Sequence, residues 1–99
     1  FMKSFGKYQN LRIITTEGLL ADGDYILPDI TIRVKGGYLN DSLDEDGRVL
    51  PAVESHDSTH IEHWKNGVLH FESAPAIIDN QDNYEEWWLD GVRIFPKEK

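Results

Sequence analysis

The 99-residue chain contains no cysteine. That excludes a disulfide framework, a thiolate metal site and a cysteine nucleophile. Positive charge is scarce: 10 Lys and Arg stand against 18 Asp and Glu, for a net charge of −8. Direct binding to nucleic acid or to an anionic membrane needs basic patches, so neither is expected. No apolar run approaches the ~18–20 residues of a membrane span. Lys3 leads into a mixed polar stretch where a signal peptide would carry its apolar core, so a cytoplasmic setting is expected. Hydrophobic residues make up 39 % of the chain, slightly low for a globular protein. A chain of this length buries roughly 60–65 % of its unfolded surface, which gives one modest core and a single domain over residues 1–99.

What is present is internal repetition. Glu62-His63-Trp64-Lys65-Asn66-Gly67-Val68 matches Glu86-Trp87-Trp88-Leu89-Asp90-Gly91-Val92 at an offset of 24. Pro51-Ala52-Val53 matches Pro75-Ala76-Ile77 at the same offset of 24. A more divergent copy precedes them, with Pro28-Asp29-Ile30 followed by Arg33 to Leu39, and a fainter trace runs from Ile14 to Leu20. Residues 1–46 thus read as divergent hairpin repeats, 47–95 as two clearer repeats and 96–99 as a tail. A period of this size implies stacked units that bury their faces on one another.

Each unit reads as β structure. Glu17-Gly18, Asp22-Gly23, Gly36-Gly37, Asp46-Gly47, Asn66-Gly67 and Asp90-Gly91 punctuate the chain. Such dipeptides suit two-residue hairpin turns, whose central positions take positive φ. The flanks are rich in β-branched and aromatic residues: Leu11–Thr15, Tyr25–Leu27, Ile30–Val34 and Tyr84–Leu89. No helix-length window has apolar spacing of helical period with caps, and the nearest, Asn83–Leu89, lies where the repeat requires a strand. The expectation is an all-β fold: an antiparallel meander of repeated hairpins, roughly eight to ten strands, in one long twisted sheet or an open roll.

An Asn66-Gly67 turn sets Lys65 opposite Val68, Trp64 opposite Leu69, His63 opposite His70 and Glu62 opposite Phe71. An Asp90-Gly91 turn sets Leu89 opposite Val92, Trp88 opposite Arg93 and Trp87 opposite Ile94. Alternation then puts Trp64, Leu69 and Phe71 on one face, with Trp88 and Tyr84 on its equivalent in the next unit. That layer is the expected core. Trp87 falls on the face opposite Trp88, so either the sheet is covered on both sides or Trp87 is a contact residue. Trp87, Tyr84, Arg93 and His63 are the candidate binding residues.

These residues carry a resemblance. Trp64, Asn66, Gly67 and His70, then Pro75, Ala76 and Ile77, then Tyr84, Glu85, Trp88, Asp90 and Gly91 resemble MORN-type repeats. The similarity is to the bacterial, phage and large-virus variant running Trp-Tyr-x-Asn-Gly-x-x-His to Gly-Pro-Ala, and it covers about 50 of the 99 residues. Ala74 stands where a Gly usually precedes Pro-Ala, and Ile94 where a second His would be. The resemblance implies a β-hairpin array that serves as an interaction module, without catalytic residues or a cofactor.

Specific chemistry finds little support. His56, His60, His63 and His70 cluster, but alternation throws His60 and Glu62 to the face opposite His63 and His70, so no closed metal site is expected. Setting Gly47 at the sixth position of a calcium loop puts Val53 at the twelfth, where a bidentate acid is required. Asp41–Gly47 reads instead as an acidic loop ending in a turn. Ser55, His56 and Asp57 are sequence neighbours, unlike the members of a hydrolytic triad, and no phosphate-cradling glycine loop is present. The expected function is a non-catalytic module that binds a protein partner. The alternative is an acidic phage- or mobile-element-type inhibitor that mimics nucleic acid. Two open sheet edges also leave room for a homodimer.

Overall fold

The computed structural model describes residues 21–96. The expected strand Leu11–Thr15, the Glu17-Gly18 turn and the trace from Ile14 to Leu20 lie outside the described residues. Among the described residues the fold is all-β and antiparallel, with no helix. Twelve strands form: β1 (Gly23–Ile26), β2 (Ile30–Lys35), β3 (Tyr38–Leu39), β4 (Ser42–Leu43), β5 (Val49–Leu50), β6 (Val53–Ser55), β7 (His60–Glu62), β8 (Trp64–Lys65), β9 (Val68–Leu69), β10 (Ile77–Asp79), β11 (Tyr84–Leu89) and β12 (Val92–Ile94). The main sheet runs β1-β2-β6-β7-β10-β11-β12, with β3 paired to β2. It does not close into a barrel, because β1 and β12 end the order without pairing with each other.

The turns explain the hairpins. Asn66 and Gly67 have φ of 49° and 80°, and Asp90 and Gly91 have 47° and 80°. Gly36 and Gly37 have 65° and 85°. Positive φ at both central positions matches the right-handed twist of the strands they join. The register follows: Lys65 pairs Val68, Trp64 pairs Leu69, and Leu89, Trp88 and Trp87 pair Val92, Arg93 and Ile94. Two other dipeptides behave differently. Gly23 begins β1 opposite Val34 and is no hairpin turn. Asp46-Gly47 belongs to a longer connection in which Asp44 accepts bonds from the Asp46 and Arg48 amides.

Each repeat splits one extended run between two jobs. Its first half joins the long ladder, as β7 pairs with β6 through Ile61 and Glu62 and with β10 through His60, Ile61 and Glu62. Its second half bends into a hairpin that stacks on the hairpin before it. The Gly67 amide donates to the Leu39 carbonyl and the Gly91 amide to the Leu69 carbonyl. Beside these bonds, the Asn66 amide donates to Asn40 Oδ1 and the Asp90 amide to His70 Nδ1. Asn40 and His70 therefore do one job: each receives the turn of the next unit. The divergent copy is a true member of the array in geometry. Its greater distance from the second comes from the inserted β4–β5 hairpin, which contains the acidic stretch.

The stacked hairpins bury Ile30, Ile32, Val34, Leu39, Ala52, Val53, Trp64, Leu69 and Ile77, with Tyr25, Leu27 and Trp88 packed against them. Burial of one such aliphatic side chain contributes about 1.5–3 kcal/mol. Trp64 and Leu69 lie where alternation put them. Phe71 does not. Its amide donates to the Trp88 carbonyl of the next unit rather than continuing the hairpin opposite Glu62. Its ring stacks on His63, centroids 3.8 Å apart at an interplanar angle of 8°. Glu62 pairs instead with Val53 and Ile77 and is fully buried.

Candidate functional site

Three regions collect chemistry-bearing side chains. The first is buried. Along β7 and β8 alternation directs His60, Glu62 and Trp64 to one face, and the stacking buries all three. Glu62 Oε1 accepts from the Trp64 indole at 2.9 Å, and Glu62 Oε2 lies 2.8 Å from His60 Nε2. His60 Nδ1 in turn lies 3.1 Å from Asp79 Oδ2 on β10. The next unit repeats the design: Glu86 accepts from the Trp88 indole at 2.8 Å and from the Tyr84 hydroxyl. A buried carboxylate is costly unless fully bonded, and the neighbouring side chains supply those bonds.

The electrostatics of the two units differ. Burial disfavours a charge on His60. The hydrogen bond and charge of Glu62, followed by those of Asp79, outweigh that effect and raise its pKa above the ordinary value of 6.5. Tyr84 is also raised, chiefly by its hydrogen bond to Glu86. Sequence reading placed His60 and Glu62 on the face of Trp64 but did not identify them as buried. The signal was present: Glu62 and Glu86 repeat at the same offset as the tryptophans they serve.

The second region is an open cleft of about 390 Å³ between the loops that precede β2, follow β6 and follow β10. Asp29, His56, Asp57, His60 and Asp79 line it, over an apolar floor that includes Ile30. Asp57 is held down to about 2 by hydrogen bonds from the Thr59 and Ser55 hydroxyls and the Thr59 amide. Ser55 Oγ also accepts from the His60 amide at 2.9 Å, so the serine is tied into the turn.

The third region is the C-terminal hairpin, β11–β12, which ends the sheet's strand order among the described residues. Its outer face aligns Trp87 with Ile94 and Leu89 with Val92. Val92 is 64 % exposed and Phe95 76 %, and Leu89 and Tyr84 are each 37 % exposed. Arg93 lies with its guanidinium carbon 4.9 Å from the Phe95 ring centroid, a cation–π contact. Trp87 is half-buried and Arg93 exposed. Of the expected binding residues, Tyr84 and Arg93 share one face of this hairpin and Trp87 lies on the other, because Trp88 and not Trp87 is the register partner of Arg93. His63 does not join them. It is 7 % exposed, stacked on Phe71, with Nδ1 2.8 Å from Asp41 Oδ2.

The remaining histidines are engaged within the fold. His70 Nδ1 accepts from the Asp90 amide, and His56 Nε2 lies 3.4 Å from the Thr31 hydroxyl. Among the described residues no group of three or more His, Asp or Glu is arranged to hold a metal ion. Among the same residues, no helix is long and apolar enough to cross a membrane. Comparisons of the chain with protein-family models, curated proteins and solved structures return no match.

Proposed function

We propose that this chain is a non-catalytic protein-interaction module of MORN-like hairpin repeats, working in the cytoplasm. Its C-terminal hairpin would carry the contact surface. One observation carries the reading: half of the eight strongly exposed large apolar side chains among the described residues fall between Tyr84 and Phe95. They sit on or beside the hairpin that ends the strand order among the described residues, where an edge strand and apolar side chains together favour association. Trp87 supplies aromatic area on the outer face beside Leu89 and Val92, and Tyr84 with Arg93 supplies an aromatic and a charge on the other, residue types enriched at binding hot spots. The cleft supports the absence of catalysis. Its serine and both ring nitrogens of His60 are occupied by structural bonds.

The test compares Trp87→Ala and Val92→Asp with Leu43→Ala, which alters a residue 63 % exposed on the separate β4–β5 hairpin. All three should keep the wild-type melting transition. A protein captured by wild type should be lost from the first two and kept by the third, at both low and high salt. Capture that ignores Trp87 and Val92 and disappears with salt would replace this reading with acidic mimicry of nucleic acid.

A further inference from the structure

The buried chain His60–Glu62–Asp79 has a consequence separate from partner binding. It joins two strands: His60 and Glu62 lie on β7, and Asp79 on β10 is the register partner of His60. Relative exposures are 6 %, 0 % and 5 %: Glu62 is sealed from water, while His60 and Asp79 border the cleft. Both imidazole nitrogens face carboxylate oxygens, at 2.8 Å and 3.1 Å. A neutral imidazole has one N–H and can donate to only one of them. The other nitrogen would then point its lone pair at a buried carboxylate. The three groups are satisfied together only when they hold one more proton than neutral histidine and two carboxylates provide.

We propose that His60, Glu62 and Asp79 form a proton-dependent clamp between β7 and β10, and that its loss on raising the pH opens β10–β12 ahead of the remaining sheet. The opening is directional because of what each side of the clamp holds. On one side, β2 and β6 are packed through Ile30, Ile32 and Val53, without titrating groups on their buried face. On the other, β10 is followed in the strand order, among the described residues, by the last hairpin alone. The other charged groups near His60 favour its charge with one exception. Asp29 and Asp57 share the cleft with it, while Tyr84, opposite Asp79 on β11, is raised above its ordinary value and stays neutral. His56, exposed on the cleft rim, opposes it when protonated.

The repeat supplies the control. Tyr84 occupies in the last unit the place of His60, and it serves Glu86 without a proton that leaves near neutrality. His60→Tyr therefore turns the clamp into the non-titrating version. Asp79→Asn removes one carboxylate and offers an amide donor to the imidazole, so that neutral His60 is satisfied. Native-state amide exchange, corrected for intrinsic base catalysis, is measured from pH 6 to 9 on the wild type and both variants. In the wild type the opening constant of the β10 and β11 amides, relative to β2, should rise by up to about tenfold per pH unit between the ordinary histidine value of 6.5, which His60 regains in the opened strands, and the clamp's own higher titration, and level off above it. Both variants should flatten that rise. A wild type whose ratio is independent of pH, or a rise retained by either variant, overturns the clamp. Should a variant fail to fold, titration of the His60 ring by NMR in the wild type decides: a midpoint above 6.5 supports the clamp and one at or below it overturns it.

Discussion

Glu62 shows how this small core tolerates charge. The position is equivalent to Ile32 in the first unit and to Glu86 in the last. Its neighbours two residues either side change with it: Ile30-x-Ile32-x-Val34, His60-x-Glu62-x-Trp64 and Tyr84-x-Glu86-x-Trp88. The first set is apolar throughout, while in the others the acid comes with two side-chain partners. A buried acid left alone is far costlier than either complete set. Glu62→Ala should therefore lose about 3–5 kcal/mol in urea denaturation, the usual result of breaking a buried pair. Glu86→Ala should lose less, because its Tyr84 partner is 37 % exposed and water can reach the orphaned groups.

At the scale of the element, the unit of construction is a hairpin docked through its turn. Gly67 and Gly91 both combine a φ of 80° with an amide donated to the preceding unit. A Cβ added at Gly91 would lie 3.2 Å from the Val68 Cβ, whereas at Gly47, also at φ 80°, nothing lies within 4 Å. Gly47→Ala should cost about 1–2 kcal/mol from the left-handed backbone alone. Gly91→Ala should cost more, because the Val68 side chain must also give way. Thermal melts of the two variants side by side check the difference. The inserted β4–β5 hairpin is a different kind of element, since Asp44 organises its turn from within. None of its residues belongs to the buried hydrophobic cluster.

For the whole molecule, the dominant long-range term is charge. A net charge of −8 on 99 residues repels itself, and the described surface places Asp44, Glu45, Asp46, Asp82, Glu85 and Asp90 outside the core. Raising ionic strength from about 10 mM to 150 mM shortens the screening length from roughly 30 Å to 8 Å. The melting temperature should rise over that range, by about 4–8 °C if screening returns 1 kcal/mol. A fall with added salt would mean that attractive pairs such as Arg33 with Glu54 dominate.

The sequence by itself determined the class of fold, the two-residue turns and the hairpin registers. Those features are local: positive φ at an Asn-Gly or Asp-Gly pair fixes which residues face each other across the next few positions. It also determined that Trp64 and Leu69 point inward, because side chains alternate along a strand. Where Phe71 goes, and why His63 is buried, only the tertiary structure decided. Both depend on which hairpin the chain meets after leaving its own, a contact to Trp88 far along the sequence. The burial of Glu62 was settled the same way. Alternation puts an acid on a face, but only the stacking of β6 and β10 on either side of β7 removes it from water. His60 and Asp79 are 19 residues apart and become a pair only through that ladder.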